Sequence, residues 1–254
     1  MSVMTARLET VARWTSIPAV LLVWEFVVRA GTVNQVLFPP PTVVAASMYD
    51  YLVYGELVAD VGWSVSRVVV GYLAGAIAGV TMGVLTGGNR IVASFFEPIF
   101  QMLRPIPPIA FVPIVIVWFG LTEWGKWFLV FWGVFFTVWL STHLGVQRVN
   151  QTFLRVAECL GAPRHRMLLE VMLPGALPFI FMGLRTAVGV SFYTLVAAEL
   201  AGAFAGIAYR LEVTQQNMQI GHMMAGLILL GIVSTIADRL FGLLSAKLVH
   251  WQDV

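Results

Sequence analysis

The stretch NQTFLRVAECLGAPRHRMLLEVMLPGALPFIFMGLR, residues 150–185, holds the longest polar interruption in an otherwise apolar chain. Its first part predicts a short amphipathic helix, because Asn150 is a favourable N-cap and apolar residues recur at i, i+3, i+4 and i+7, at Phe153, Val156, Ala157 and Leu160. Gly161 is a natural stop for this helix. Arg155 and Glu158 share the opposite, polar face.

A second short helix is predicted directly after Gly161. Pro163 suits the first turn of a helix, and an apolar stripe follows it at Met167, Leu168, Val171 and Met172. We expect the Leu173-Pro174 pair to end this helix before a long hydrophobic run begins. Two short helices joined by a glycine bend between membrane spans are typical of a cytoplasmic docking element.

The composition indicates an integral membrane protein. Of 254 residues, 59% are hydrophobic and 11% are charged, and the mean hydropathy is +0.86, whereas about a quarter of the residues of a soluble domain are charged. A spanning helix needs about 20 mostly apolar residues, so we expect one transmembrane domain over residues 1–254 and no separate soluble domain. The net charge of +2 is too small to suggest a nucleic-acid partner. A single cysteine, Cys159, excludes an internal disulfide.

About six spans are predicted, over residues 17–28, 63–85, a proline-rich segment ending near Gly120, 127–144, 178–200 and 223–244. The first is preferred to a secretory signal because Glu25 interrupts it and no small-residue cleavage site follows, and residues 33–37 are expected to extend it. A helix capped by Thr42 is too mixed to span. We expect it at the outer membrane interface, where Tyr51 and Tyr54 suit an aromatic belt.

The second span carries a glycine at every fourth position, at Gly71, Gly75, Gly79, Gly83 and Gly87. In lipid, such a stripe of small residues allows another helix to approach to backbone contact. Because the register holds along the whole span, a packing face is favoured over general glycine enrichment. We therefore expect this face to pack against the core of the protein rather than against lipid.

Prolines interrupt the third span, at Pro105, Pro107, Pro108 and Pro113. A regular helix cannot satisfy its backbone hydrogen bonds there, and irregular backbone at membrane depth is tolerated only where it is buried in protein or lines an aqueous cavity. This segment is the first candidate for the wall of a transmembrane pathway, and a simple proline kink is the alternative. The candidate lining residues are Pro107, Pro108, Phe111, Pro113 and Phe119.

Span five supplies the remaining pathway candidates. The polar side chains of this span that are expected to make favourable contacts in such a pathway are Ser191, Tyr193 and Thr194. Glu199 and Arg185 lie near the ends of this span, and intramembrane charges are functional candidates by default, with a structural ion pair as the equal alternative. The tryptophans of span four are expected at the interface or against lipid, namely Trp127, Trp132 and Trp139.

The basic residues predict the orientation. About six spans place one group of them on a single side of the membrane, and the positive-inside rule makes that side the cytoplasm. Both termini are therefore predicted to be cytoplasmic. The residues of this group are Arg7, Arg13, Arg90, Arg148, Arg155, Arg164, Arg166 and Lys247.

The sequence carries no catalytic constellation. It has no G-x-x-x-x-G-K-[ST] loop for nucleotide phosphates and no serine in a G-x-S-x-G elbow. The histidines are dispersed, without a cysteine or carboxylate at metal-ligand spacing, at His143, His165, His222 and His250. We expect no catalytic site, no metal and no cofactor in this chain, so any energy that the protein uses must come from elsewhere.

Residues 150–185 resemble the cytoplasmic coupling loop of the permeases of ATP-binding cassette (ABC) importers, whose signature is Glu-Ala-Ala, a glycine and a Leu-Pro pair. Ala157, Gly161 and Leu173-Pro174 are in register with it, whereas Arg155 and Val156 occupy its first two positions. Three further blocks are similar to the nitrate, sulfonate and taurine branch of that family: SRVVVGYLAGAIAG (66–79), RPIPPIAFVPIVIVWFG (104–120) and GLRTAVGVSFYTLVAAEL (183–200).

The resemblance implies an all-α, type I ABC importer permease-like fold in a bacterial inner membrane, with a coupling loop over about residues 148–174. It implies a homodimer with one pathway at the subunit interface, and a cytoplasmic ABC ATPase dimer that binds ATP and Mg²⁺ and docks on residues 151–172. It also implies an extracytoplasmic binding protein that delivers a small anionic or sulfonate-like solute. Glu158 is expected to take over the contact that the family makes from the position of Arg155. The implied coupling residues are Arg155, Ala157, Glu158, Gly161, Ala162, Arg164, Leu173 and Pro174.

Two other classes remain open at this point. An ion-coupled secondary transporter would carry paired broken helices in two halves and a buried acid at the midplane, and the sequence offers one proline-rich segment and no internal repeat. A membrane-embedded enzyme would need a polar cluster within the spans.

Overall fold

The computed structural model describes residues 3–248, with the side chains of residues 3–14, Arg164, Ala246 and Leu248 outside that description. His250 and the side chains of Arg7 and Arg13 also lie outside the described part. Every regular element between residues 3 and 248 is helical, and the α-helices are α1 (Val3–Arg29), α2 (Pro41–Tyr54), α3 (Leu57–Gly88), α4 (Arg90–Leu103), α5 (Val112–Phe119), α6 (Glu123–Gln147), α7 (Gln151–Cys159), α8 (Arg164–Arg166), α9 (Leu173–Leu200), α10 (Ile207–Gln216) and α11 (Ile220–Leu248).

Several helical segments of the described chain are long and apolar enough to cross a membrane, namely Leu57–Gly88, Glu123–Gln147, Met167–Leu200 and Ile220–Ser245. A further candidate is the pair α4 and Pro108–Phe119, which is bent by 87° at its break. The prediction of an all-α membrane protein is confirmed. The prediction of about six spans stays a prediction.

The first hydrophobic run ends earlier than expected. Helix α1 stops at Arg29, and Gly31 follows in the left-handed region with a φ of 75°, so residues 33–37 do not extend it. The next helix begins at Pro41 after Pro40, without a side-chain cap. The expected cap residue, Thr42, instead donates from its backbone N and its Oγ1 to the Glu25 carboxylate, at 3.1 and 2.9 Å.

Two compact units divide the chain, and the smaller comprises residues up to Ala59 together with Arg210–Leu229. Within it, Tyr51 is buried, with the Arg210 guanidinium 5.8 Å from its ring. The belt position expected for Tyr51 is therefore wrong, because a ring enclosed by protein cannot reach the lipid interface. Tyr54 is exposed.

The larger unit comprises Asp60–Tyr209 and the chain from Leu230 onward. Its glycine stripe packs on α6, as the four-residue spacing predicted. A Cβ atom built on Gly71 would lie 2.6 Å from the Cβ of Val130, and one built on Gly87 would lie 2.7 Å from the Cβ of Val146. Gly75, Gly79 and Gly83 meet intermediate turns of α6 in the same way. The two helices are therefore in backbone contact along four turns.

Helix α6 is the central element of this unit, because α9 packs against a different face of it. Trp139 is fully buried there, and its Nε1 donates to Thr86 Oγ1 at 3.1 Å. The expectation that Trp139 faces lipid or the interface is wrong, since this position of α6 lies between α3 and the Phe100 ring of α4, 5.0 Å away.

Candidate functional site

The predicted docking loop consists of α7, a glycine bend and a second helical segment. Asn150 caps α7 as expected, with its Oδ1 accepting from the Thr152 backbone N at 2.9 Å. Gly161 has a φ of 72°, and its N donates to the carbonyl of Glu158 while the N of Ala162 donates to that of Ala157. A Cβ atom on Gly161 would meet nothing within 4 Å. The bend is therefore reserved for glycine by its backbone conformation, not by crowding.

The second segment of the loop continues into the membrane helix. Helix α8 passes into a π-helical turn, Met167–Met172, and then into α9 without interruption. The expectation that Leu173-Pro174 ends the helix is wrong. In the π turn, Leu173 N donates to Leu168 O, and Pro174 follows directly. The π turn shifts the hydrogen-bond register before the proline, and the helix continues.

Helix α7 leaves most of its apolar stripe uncovered. Phe153, Val156 and Leu160 are 62%, 53% and 81% exposed, whereas Ala157 is buried. Leu154 packs instead against the ends of α6 and α9. The sequence predicted the stripe, and the described chain provides nothing that covers it.

Charged groups lie beside this stripe. Arg155 and Glu158 are both exposed. Glu158 lines an 800 Å³ groove with Arg90 and His165. The remaining groove residues come from the end of α3, the start of α4 and the π turn: Val84, Leu85, Gly88, Asn89, Ile91, Met167, Leu168 and Met172.

The proline-rich segment is irregular, as predicted. Helix α4 ends at Leu103, and a short 3₁₀ turn, Pro108–Phe111, leads into α5. The carbonyl of Pro107 accepts from Ala110 N at 2.9 Å. Phe111 packs its ring 4.3 Å from that of Trp132.

A cavity of 450 Å³ lies between this segment, α6 and α9. Three of the sequence-predicted pathway residues line it, namely Pro108, Tyr193 and Thr194. Its other walls are Arg104, Ile106, Trp132, Gly133, Phe136, Thr137, Leu140, Ser141, Thr186 and Val190. Arg104 was not among the residues that the sequence singled out, although it immediately precedes the proline cluster.

The other pathway candidates lie outside this cavity. Ser191 is fully buried, and its Oγ donates to the carbonyl of Val188 at 2.6 Å. Phe119 packs on Phe128, with 5.7 Å between the ring centroids. Pro107 and Pro113 flank the 3₁₀ turn and shape the break.

Glu199 lies at the centre of a buried ion-pair cluster. Its Oε1 accepts from Arg67 Nη1 at 2.9 Å and from Ser64 Oγ at 2.7 Å, and its Oε2 accepts from Ala208 N at 2.8 Å. Arg67 also binds both carboxylate oxygens of Glu123, at 2.7 and 2.8 Å. Lys126 Nζ adds a bond of 2.8 Å to Glu123.

Both charges of span five have ion-pair partners. Glu199 pairs with Arg67, and Arg185 pairs with Asp238 at 3.0 and 3.1 Å. These pairs agree with the structural alternative, and a functional role for either charge stays a prediction. The signal for Arg67 was present in the sequence, because Asp60, Ser64 and Arg67 follow i, i+4, i+7 spacing and share one face of α3. Within residues 3–248 no group of acidic, histidine or cysteine side chains is arranged to hold a metal ion.

Residues 57–250 match the family model of the binding-protein-dependent transport system inner membrane component. The chain is 32% identical to the aliphatic sulfonates transport permease protein SsuC of Bacillus subtilis, over 93% of this chain and 86% of that protein. It is 30% identical to the taurine transport system permease protein TauC of Escherichia coli, over 93% and 88%. It is 31% identical to the bicarbonate transport system permease protein CmpB of Synechococcus elongatus, over 86% and 82%.

The fold is also known. A chain of the MetNI methionine ABC transporter, solved in inward-facing conformations, superposes with a TM-score of 0.62 at 20% identity, covering 75% of this chain and 95% of that chain. The matched family model spans most of the chain, and the relatives are transport permeases. The protein therefore belongs to the binding-protein-dependent transport system inner membrane component family, as an ABC transporter permease of its sulfonate, taurine and bicarbonate branch.

Proposed function

We propose that this chain is the membrane-spanning subunit of an ATP-driven importer for a small organic anion of the sulfonate class. Two copies would enclose one pathway, an extracytoplasmic binding protein would deliver the solute, and a cytoplasmic ATPase dimer would bind ATP and Mg²⁺. The chain itself would perform no chemistry. Relatives named for aliphatic sulfonates, taurine and bicarbonate support a small anion as the solute.

The uncovered apolar stripe of α7 is the observation that carries this proposal. A capped helix with exposed Phe153, Val156 and Leu160 presents an amphipathic face suited to a groove on another protein. Helix α7, which carries the stripe, lies between the membrane helices α6 and α9 along the chain. A force applied to the stripe therefore reaches both spans directly. We propose it as the ATPase-docking surface, which places the loop and both termini in the cytoplasm and the protein in the cell membrane.

The experiment is co-purification of the co-expressed ATPase with the variant Phe153→Ala, Leu160→Ala. Truncating anchor residues at an interface costs about 2 kcal/mol or more each, so recovery of the ATPase should fall at least about tenfold. The matched control is Phe204→Ala, because Phe204 is also a well exposed phenylalanine, at 77%, but lies between α9 and α10. Equal ATPase recovery from all three proteins would reject the docking surface.

Glu158 tests the charged part of the same surface. The family position usually held by Glu carries Arg155 here, and Glu158 lies one turn further on with its carboxylate exposed beside the groove. A charge-assisted hydrogen bond from this carboxylate to the ATPase predicts weaker association for Glu158→Gln, whereas Glu56→Gln, at an exposed carboxylate between α2 and α3, should leave association unchanged. If the ATPase is recovered equally well with Glu158→Gln and with wild type, Glu158 does not take over the contact that the family makes from the position of Arg155.

A further inference from the structure

We propose that the 450 Å³ cavity is a binding site for a short aliphatic sulfonate, in which Arg104 binds the sulfonate head group. This proposal rests on the proposed transport function and adds the residue that recognises the anion.

Among the described residues that line the cavity, Arg104 alone is charged. Its backbone N caps α4 by donating to Phe100 O at 2.9 Å, which fixes the residue at the break before the prolines. Its guanidinium has no hydrogen-bond or ion-pair partner among the described residues, whereas Arg67 and Arg185 are both held by carboxylates. A free guanidinium fork matches a sulfonate, because two of its N–H groups can bind two oxygens at once.

Most of the remaining wall is apolar. Trp132, Phe136, Leu140 and Val190 would contact a short carbon chain. Nitrate and bicarbonate have no such chain, so they would leave this surface without a partner. A volume of 450 Å³ falls in the usual range for small-molecule sites, about 300–1,000 Å³.

Hydroxyl groups on α6 and α9 complete the lining. Thr137, Ser141 and Thr186 each donate to a carbonyl of their own helix, at 2.9, 3.1 and 3.0 Å. Their oxygens therefore offer lone pairs to the cavity, which suit a donor such as an ammonium group. A 2-aminoalkanesulfonate provides an anion for Arg104 and a cation for these oxygens, so we propose an aminosulfonate as the preferred ligand.

The test is direct binding of taurine, ethanesulfonate and nitrate to the purified permease–ATPase complex in the absence of the binding protein. Titration calorimetry gives the affinity. Quenching of tryptophan fluorescence is compared between wild type and Trp132→Phe, because the chain has nine tryptophans and only the difference reports on Trp132. We expect taurine to bind more tightly than ethanesulfonate, and nitrate most weakly. Loss of a hydrogen bond to a charged group predicts at least about a tenfold loss of taurine affinity in Arg104→Gln, with partial retention in Arg104→Lys.

Arg239→Gln is the matched control, because Arg239 is an exposed arginine on α11 outside the cavity. Wild-type affinity in Arg104→Gln, or no binding of any of the three anions to the wild-type complex, would overturn the site. Equal affinity for taurine and ethanesulfonate would overturn the role of the hydroxyls, and nitrate binding as tight as taurine would overturn the sulfonate class.

Anionic lipid is an alternative source of an oxyanion for Arg104. The titration is therefore repeated in nanodiscs of neutral lipid and of phosphatidylglycerol. Equal taurine affinity in both supports a solute site, whereas loss of binding only in phosphatidylglycerol would assign Arg104 to a lipid head group and overturn the proposal. The amount of ATPase recovered with each variant tests the proposed function separately. A variant whose docking surface is damaged should recover less ATPase and keep its taurine affinity.

Discussion

Replacing Arg67 with methionine should be among the most destabilising single changes in this chain. The Arg67 side chain is 2% exposed and makes two hydrogen bonds to Glu123, one to Glu199 and one of 2.6 Å to the carbonyl of Ala205. Methionine keeps much of the apolar stem and removes every one of these bonds. Glu123 retains Lys126 as a partner, so the loss is concentrated on Glu199, which is 0% exposed.

The magnitude follows from that uncompensated carboxylate. Removing one partner of a buried ion pair costs about 3–5 kcal/mol, because the other charge stays buried without a counter-charge. For a chain of this size, 1 kcal/mol corresponds to about 2–4 °C in melting temperature, so Arg67→Met should melt roughly 6–20 °C below wild type. The assay is thermal unfolding of the purified protein in detergent, followed by intrinsic tryptophan fluorescence.

Two further variants test whether the buried charge is the cause. Glu56→Gln breaks the pair with Arg210 outside the candidate spans, where the Glu56 side chain is 75% exposed, and an exposed pair contributes about 0–1 kcal/mol, so its melting temperature should stay close to that of wild type. Adding Glu199→Gln to Arg67→Met removes the buried charge and should recover part of the lost stability. Additive losses in the double variant, or equal losses for Arg67→Met and Glu56→Gln, would refute the buried charge as the cause.

Three other outcomes follow from the packing. Gly83→Val should lower stability by more than about 2 kcal/mol, because its Cβ would overlap Thr142; near-wild-type thermal unfolding would contradict the backbone contact between α3 and α6. Gly161→Leu should assemble normally yet lose transport-coupled ATP hydrolysis, since a φ of 72° disfavours any β-carbon, and retained coupling would show that the bend is dispensable. In a cysteine-free background, a cysteine at Ile109, which is 57% exposed, should react with a water-soluble thiol reagent in an ATP-dependent manner, whereas one at Val115, 2% exposed, should not; no reaction at either position in any nucleotide state would remove the proline segment from the pathway.

Local sequence patterns were enough to predict much of the fold. The four-residue glycine spacing required a close helix partner whatever that partner was, and Asn150 and Gly161 bounded α7 because capping depends on neighbouring backbone groups alone. The position of Trp139 could not be read in this way. A tryptophan within a span is equally compatible with lipid and with protein, and the choice depends on Thr86 and Phe100, which lie on other helices.

The residues of the candidate site were harder to predict from the sequence, because their contacts also depend on other helices. Glu199 and Arg67 are separated by 132 residues along the chain, so neither predicts the other without the packing of α3 beside α9. The Leu173-Pro174 pair misled because a proline normally ends a helix, whereas the π turn before it shifts the hydrogen-bond register and lets the helix continue. Arg104 was overlooked because a single basic residue before a proline cluster has no periodic pattern.

The glycine contact between α3 and α6 also has a mechanical consequence. Two helices in backbone contact over several turns cannot slide or rotate past each other without driving valine and threonine side chains into backbone atoms, so we expect the pair to move as one stiff strut. In the proposed transporter, a change between inward-open and outward-open states would therefore bend segments that lack this contact. Two such segments are the 87° bend between α4 and Pro108–Phe119 and the π turn at Met167–Met172. The first lies at the proposed solute site and the second in the proposed docking loop, so movement of the docking loop would bend the backbone next to the solute site.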